Sequence, residues 1–350
     1  MGIQIMRAAR KTLAIQFKYL GDAVFITPAL RALKESEPAG ELHVLLAAEI
    51  APLLEQVPWI TKVWSLPRTR GRARFRDSWP VIRGLRREGF DRAVDFGGND
   101  RGAILSFLSG ARNRLGVGLG VVDQSALLKK LAYTQTVPSA TLPPAWVERH
   151  LRLLAAWRIP PPKSLHLEIA ADPALADAAA ELLPAGRVLC HLGTSQPGKE
   201  WPLDRWREFY RLATAAGWSP VFSAGNNARE QALLAELKQR EPDIFALPPV
   251  ASLKLFLAVL RRARAVVAGD TGPLHFAAGL GVPVVGLFGT EDSLRRAAPI
   301  YPEKQVVRST EFPPVGGGSN PLNPGEAPSS VAGIPAERVL AALMEVATQG

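Results

Sequence analysis

A single cysteine, Cys190, excludes an internal disulfide from this 350-residue chain. It sits in the apolar run Arg187-Val-Leu-Cys-His191, which reads as a buried strand, so its role is packing. No apolar run approaches the ~18 residues that span a bilayer. The stretch Lys11 to Phe17 is too short, and too quickly followed by Lys18, to be a signal-peptide core, so a cytoplasmic location is expected. Five scattered histidines have no zinc spacing, and no Asp-x-Asp pair is present to hold a divalent metal. Gly116-Val-Gly-Leu-Gly120 lacks the G-x-G-x-x-G spacing of a dinucleotide fingerprint. Neither a metal nor a cofactor is therefore expected.

What the chain does have is enough apolar content, 47%, to bury a core in each of two domains of ordinary size. Its net charge of +10 is segregated. Residues 1–160 hold 24 Lys and Arg against 13 Asp and Glu, a net of +11, whereas residues 161–350 hold 18 against 19. A basic half facing a polyanion fits nucleic acid, an anionic membrane surface or a phosphorylated substrate, and composition does not choose among them. The densest run is Arg68-Thr-Arg-Gly-Arg-Ala-Arg-Phe-Arg76, with five arginines at every second position.

Short aliphatic runs alternate with helical patterns along the whole chain. Strands are expected at Lys11 to Phe17, Leu42 to Leu46, Lys62 to Leu66, Asp91 to Phe96 and Arg114 to Val117. Helices are expected at Ala29 to Glu37, Trp79 to Glu88 and Ala103 to Ser109. Such alternation predicts βαβ units around a parallel sheet. Proline-rich breaks at Pro138 to Pro144 and Pro160 to Pro162 bracket a helix around Trp146 to Trp157 and place a domain boundary near residue 165. A second α/β domain over 166–333 repeats the plan, with strands at Val188 to Leu192, Pro220 to Ser223, Ile244 to Leu247, Ala265 to Ala268 and Pro283 to Phe288. Its helices start at Leu203, Ala228, Leu253 and Pro273. Glu311 to Gly333, rich in Pro, Gly, Ser and Asn, reads as a loop, and Ile334 to Ala347 as a closing amphipathic helix.

Three strand-to-helix turns carry candidate chemistry, since ligands of open α/β sheets bind at the strands' carboxyl ends. Lys18-Tyr-Leu-Gly-Asp22-Ala puts Gly21 and Asp22 at the first; a helix cap and a turn glycine are the plainer account of the same residues. Gly193-Thr-Ser-Gln-Pro-Gly198-Lys199 fits the first seven positions of a P-loop, but Glu200 replaces the magnesium-binding Ser or Thr, and Pro202 delays the helix. These departures argue against a nucleotide-hydrolysing P-loop, while Thr194, Ser195 and Lys199 still suit a diphosphate. At Gly269-Asp270-Thr271-Gly272-Pro273-Leu274-His275, free amides and a helix dipole offer a second anion site.

With these residues in view, the chain resembles glycosyltransferase family 9, the ADP-heptose:lipopolysaccharide heptosyltransferases, over nearly its whole length. The resemblance rests on four segments in order. They are Leu20-Gly21-Asp22-Ala23 with Thr27-Pro28-Ala29-Leu30-Arg31-Ala32-Leu33; Phe90-Asp91 through Gly97-Gly98-Asn99-Asp100-Arg101; Lys199-Glu200-Trp201-Pro202 with Trp206; and Gly269 to His275 with Ala277-Ala278. It implies a GT-B fold, with two Rossmann-like α/β domains whose parallel sheets face across a cleft. The first, 1–165, would bind the acceptor, and the second, 166–333, the nucleotide sugar. The last helix, 334–350, would cross back to pack on the first domain.

The activity so implied is an inverting transfer of heptose from ADP-heptose to the lipopolysaccharide inner core, either Kdo-lipid A or a heptosyl acceptor. Asp22 would be the general base. Thr194, Ser195, Lys199 and the Thr271 and Gly272 amides would meet the departing diphosphate, Asp270 and His275 would order that loop, and Glu230, after Gly225-Asn226-Asn227, stands about where the family has a ribose-binding glutamate. Gly21, Arg70, Arg72, Arg74 and Arg101 would serve the anionic acceptor, with peripheral contact at the inner membrane surface and no nucleic acid partner. Two other readings remain open: the same scaffold with another nucleotide sugar or acceptor, and a non-catalytic module that binds polyanions. An intact Asp22 with Lys199 weighs against the module, because holding a polyanion needs neither.

Overall fold

In the computed structural model, residues 10–17, 20–67, 75–118, 126–194, 196–250, 252–289, 295–297, 306–308 and 331–347 are described. The chain divides into two compact units, Met1–His166 and Leu167–Gly350.

The first unit holds six parallel strands: β1 (Lys11–Gln16), β2 (Glu41–Ala47), β3 (Lys62–Leu66), β4 (Arg92–Asp95), β5 (Asn113–Gly118) and β6 (Gln135–Pro138). Their order across the sheet is β3-β2-β1-β4-β5-β6. Helices α1 (Leu20–Phe25), α2 (Thr27–Ser36), α3 (Phe75–Glu88), α4 (Asp100–Leu108), α5 (Ala126–Ala132) and α6 (Trp146–Leu154) connect and flank them. β1 and β4 are buried almost throughout, which accounts for apolar residues in succession at Leu13-Ala-Ile15 and Ala93-Val94: a parallel sheet covered on both faces needs no polar alternation. Local signals set the helix starts. Pro28 lies in the first turn of α2, and the Asn99 side chain caps α4 by accepting from Gly102 N at 2.8 Å.

The second unit repeats this plan with β7 (Val188–His191), β8 (Pro220–Ser223), β9 (Phe245–Ala246), β10 (Ala265–Gly269), β11 (Val284–Phe288) and β12 (Val306–Arg308), in the order β12-β11-β10-β7-β8-β9. Its helices include α7 (Ala176–Leu182), α8 (Leu203–Ala215), α9 (Ala228–Arg240), α10 (Leu253–Arg262) and α11 (Gly272–Gly279). The strand order reverses between β1 and β4 in one sheet and between β7 and β10 in the other. Connections leave these neighbours in opposite directions, so a crevice opens beyond their carboxyl ends. Every turn singled out in the sequence lies at one of these two places.

The closing helix, Ala336–Ala347, packs against α8 and strands β10, β11 and β12 of the second unit. Val339, Ala342, Leu343 and Val346 share a core with Trp201, Trp206 and Phe209, and the Trp201 indole N–H donates to Ile334 O at 3.0 Å just before the helix starts. Amphipathicity foretold a buried face, but the aromatic cluster after Lys199 decides where that face goes. Among the described residues, no helix is long and apolar enough to cross a membrane. Leu343, fully buried, should cost about 2–5 kcal/mol when cut to alanine. We expect Leu343→Ala to shift the unfolding of the second unit to lower urea while the first unit's transition holds, as fluorescence and hydrogen exchange can check.

Candidate active site

The second unit's crevice is built around Asp270, the residue immediately after β10. Its Oδ2 accepts from Lys199 Nζ at 2.9 Å, and its Oδ1 lies 3.3 Å from His275 Nε2. Burial alone would raise the Asp270 pKa, but the contacts with His275 and Lys199 outweigh that and hold it well below the usual carboxylate range. The carboxylate is therefore ionised at any working pH and ties two turns together. Gly269 allows the close approach: a Cβ there would meet the Thr194 methyl at 3.1 Å and Lys199 O at 3.4 Å. Thr194, buried, donates from its hydroxyl to Gln196 O at 2.6 Å and closes the loop after β7. Lys199 ends a short 3-10 turn, Pro197–Lys199, and α8 begins only at Leu203, so the interrupted P-loop pattern does not open a helix at its lysine. Thr271 is the N-cap of α11, with Gly272 its first residue and Pro273 in the first turn.

Glu230 forms the other wall of this loop. It is buried, and its Oε2 accepts from Gly225 N at 2.8 Å while Oε1 accepts from Asn227 Nδ2 at 2.6 Å. Gly193 must be glycine here, since a Cβ would collide with Glu230 Oε2. Two neighbours escaped the sequence reading. Arg229 donates to Thr194 O at 2.5 Å and pairs with Glu200, so it braces the loop after β7 from α9. His191, at the end of β7, is within 3.0 Å of Ser223 Oγ through Nδ1 and 4.0 Å from Glu230 Oε2 through Nε2. No motif marked either one, because each acts through partners about 30 residues away in sequence. Ser195 lies outside the described residues.

In the first unit, Gly21 and Asp22 open α1, half-buried, in its first turn. α1 is tied from behind: His150 Nδ1, on α6, donates to Phe25 O at 3.2 Å. At the end of β4, fully buried Asp95 accepts from Gly97 N at 2.9 Å and from Tyr133 Oη at 2.6 Å. A Cβ at Gly102 or Gly116 would strike Asp95 or Tyr133, so these glycines make room for the pair. Burial first, then Asp95, pushes the Tyr133 pKa far up and keeps its hydroxyl a donor. Arg101 donates to Pro67 O at 2.8 Å and lies over the Phe17 ring at 4.6 Å, beside the end of β1. Arg70, Arg72 and Arg74 lie outside the described residues.

Among the described residues, one group meets the distances for a metal: Glu41, His43 and Glu88. Its chemistry does not suit one. Trp64 Nε1 donates to His43 Nδ1 at 3.1 Å, which leaves the proton on Nε2, facing Glu41 at 3.2 Å. Lys11 Nζ supplies the cation, at 3.2 Å from Glu41 and 3.5 Å from Glu88. The group sits at the strands' amino ends, away from the first unit's crevice.

Residues 78–315 match the family model described as glycosyltransferase family 9 (heptosyltransferase). The chain is 30% identical to lipopolysaccharide heptosyltransferase 1 of Pseudomonas aeruginosa over 324 residues, covering 87% of this chain and 84% of the relative. It is 24% identical to lipopolysaccharide heptosyltransferase 2 of Salmonella typhimurium, covering 85% and 88%. Among solved structures, a family 9 glycosyl transferase of Veillonella parvula superposes with a TM-score of 0.77 at 17% identity, covering 99% of each chain. The E. coli ADP-heptose lps heptosyltransferase II does so with a TM-score of 0.73 at 19% identity, covering 97% and 99%.

Burial lowers the His191 pKa to about 4, partly opposed by Glu230, so the folded protein holds it neutral. The unfolded chain protonates it below about pH 6.5. Its contribution to stability is whole above that value and is lost as pH falls toward 4, by about 3 kcal/mol in total. Asp270 adds its own loss only below the ordinary carboxylate range. In urea titrations at pH 7 and 4.5, His191→Gln should show a smaller acid loss than the unsubstituted protein; equal slopes would mean that His191 is charged in the fold.

Proposed function

Because the chain belongs to glycosyltransferase family 9, we propose that this GT-B enzyme transfers a heptose from ADP-heptose to the lipopolysaccharide inner core, with Asp22 as its general base. The observation that carries this reading is the Lys199–Asp270–His275 chain at the end of β10, beside the free amides that open α11. An ammonium has three donors, so Lys199 can keep Asp270 and still reach a phosphate oxygen. The paired Asp270 then does not repel the incoming diphosphate.

The chemistry follows from the groups in each unit. The acceptor hydroxyl gives its proton to Asp22 as its oxygen bonds to the anomeric carbon of the donor. On the opposite side, the bond from that carbon to the diphosphate breaks, and ADP leaves with the electron pair. Configuration inverts, through a transition state with oxocarbenium character. Lys199, the Thr194 and Ser195 loop and the amides at Thr271 and Gly272 offset the charge that grows on the departing diphosphate. Glu230 keeps lone pairs beyond those that hold Gly225 and Asn227, and these can accept from ribose hydroxyls.

The first unit would hold the acceptor. Its net charge suits the phosphates and carboxylates of an inner core, and Arg101 stands fixed beside the end of β1. Arg70, Arg72 and Arg74 would extend that surface, and the acceptor's lipid would bring the enzyme to the cytoplasmic face of the inner membrane.

Asp22→Asn keeps the shape and the capping ability but removes the basicity. With ADP-heptose and a delipidated core acceptor, kcat should fall by roughly 10²–10⁴, the range that general-base catalysis supplies. ADP affinity and Tm should stay close to their starting values. A variant that melts early yet transfers at a near-normal rate would make Asp22 a helix cap and nothing more.

A further inference from the structure

We infer that the outer face of α3, α4 and α5 docks on an anionic lipid bilayer. These three helices lie side by side, α3 against α4 and α4 against α5, while α1 and α2 pack with α6. Each turns one stripe to solvent. On α4 the stripe is Asp100, Ile104 and Phe107; on α5 it is Leu127, Lys130 and Leu131; on α3 it is Trp79, Arg83, Arg86 and Arg87. These spacings are of the i, i+3, i+4, i+7 kind that keeps side chains on one helix face.

The exposed apolar side chains are concentrated here. Trp79 is 49% exposed, Phe107 54%, Leu127 71% and Leu131 65%, and with Ile104 they make five of the eight exposed large apolar side chains among the described residues. The other three are scattered over the linker, a sheet edge and the closing helix. Cations are interleaved with them. Arg83 follows Trp79 by one turn, Arg114 lies 5.6 Å from the Phe107 ring, and Lys130 stands between Leu127 and Leu131. The stem of Arg86 runs beside Gly110, just past α4, so the α3 arginines adjoin the Phe107 end of that helix. The acidic group of α3 nearest to them, Glu88, is held by Lys11 and Lys62.

Aromatic and leucine side chains set among Lys and Arg are what an interfacial surface requires: the apolar groups enter the headgroup boundary while the cations meet lipid phosphates. The charge also argues against a second copy of the chain. A two-fold contact centred on this face would bring Arg83, Arg86, Arg87 and Lys130 up against another set of themselves. The inference deepens the proposed function, since a lipid-anchored acceptor is reached at a bilayer, but its test needs no catalysis. Vesicle binding reports on the face, and transfer to a delipidated acceptor reports on the site.

The probe is co-sedimentation with vesicles of phosphatidylethanolamine and phosphatidylglycerol, against vesicles of phosphatidylcholine alone, at low and near-physiological salt. The protein should bind the anionic vesicles and not the neutral ones. The triple variant Phe107→Ser, Leu127→Ser, Leu131→Ser should lose on the order of tenfold in partitioning, mostly the part that survives salt. Arg83→Gln, Arg86→Gln, Arg87→Gln should lose a similar factor, mostly the salt-sensitive part. Phe245→Ser with Met344→Ser, two exposed apolar groups elsewhere, should bind as the original does. If the serine triple melts early, the arginine triple decides alone. Unchanged anionic binding in that variant overturns the inference. So does a protein that ignores vesicles and drops in oligomeric mass when the serines are introduced, which would make the face a contact between copies.

Discussion

A buried, ionised carboxylate is the constraint on which the second unit's chemistry depends. Asp270 gives up most of its hydration at the end of β10, a cost of several kcal/mol for an uncompensated ion. Lys199 and His275 compensate it from two different turns, so the pairing works only if both turns are in place. The rest of the site serves that condition. Gly269 lets the loop after β7 come close, Thr194 closes that loop on itself, and Arg229 braces it from α9. Removing Lys199 or His275 alone would leave a buried charge only partly offset, so the three residues act as a unit.

The two sheets share one strand order, and each places a carboxylate at the end of the fourth strand of its unit, but the two carboxylates are put to different use. Asp95, at the end of β4, is fully buried and takes a tyrosine hydroxyl and a backbone amide. It is packed in by glycines and holds β4 to the strand and helix beyond it. Asp270 is less deeply enclosed and takes cationic and imidazole partners at the mouth of its crevice. One carboxylate is structural, and the other, in the function proposed above, prepares an anion site. Asp22, half-buried on α1, is the first-unit carboxylate that the proposed function assigns to the acceptor.

Much of this was legible in the sequence, for physical reasons. Central strands such as β1, β7 and β10 are apolar on both faces, and their runs name them directly. β6, Gln135–Pro138, and β12, Val306–Arg308, were not foreseen. They are short edge strands, joined to one neighbour through the backbone ladder, and β6 turns mostly polar side chains to solvent. The short helices α5 and α7 also went unread, because seven residues give little period to detect. At the site, Lys199, Asp270 and His275 were found through the turns that carry them. Arg229 and His191 were not, since their roles come from Glu200, Thr194 and Ser223 across the fold. The closing helix showed its amphipathic face in the sequence, but not that Trp201 and Trp206 would receive it.

The claim that Asp270 and Lys199 form one anion-binding unit is most directly tested by calorimetric titration of ADP into a double-mutant cycle. Lys199→Ala and Asp270→Asn should each weaken ADP binding, and the double variant should lose little beyond the worse single one, because either change dismantles the same arrangement. Affinity that is unchanged in both single variants, or losses that simply add, would contradict a shared unit and leave the ion pair as a fold contact apart from the nucleotide.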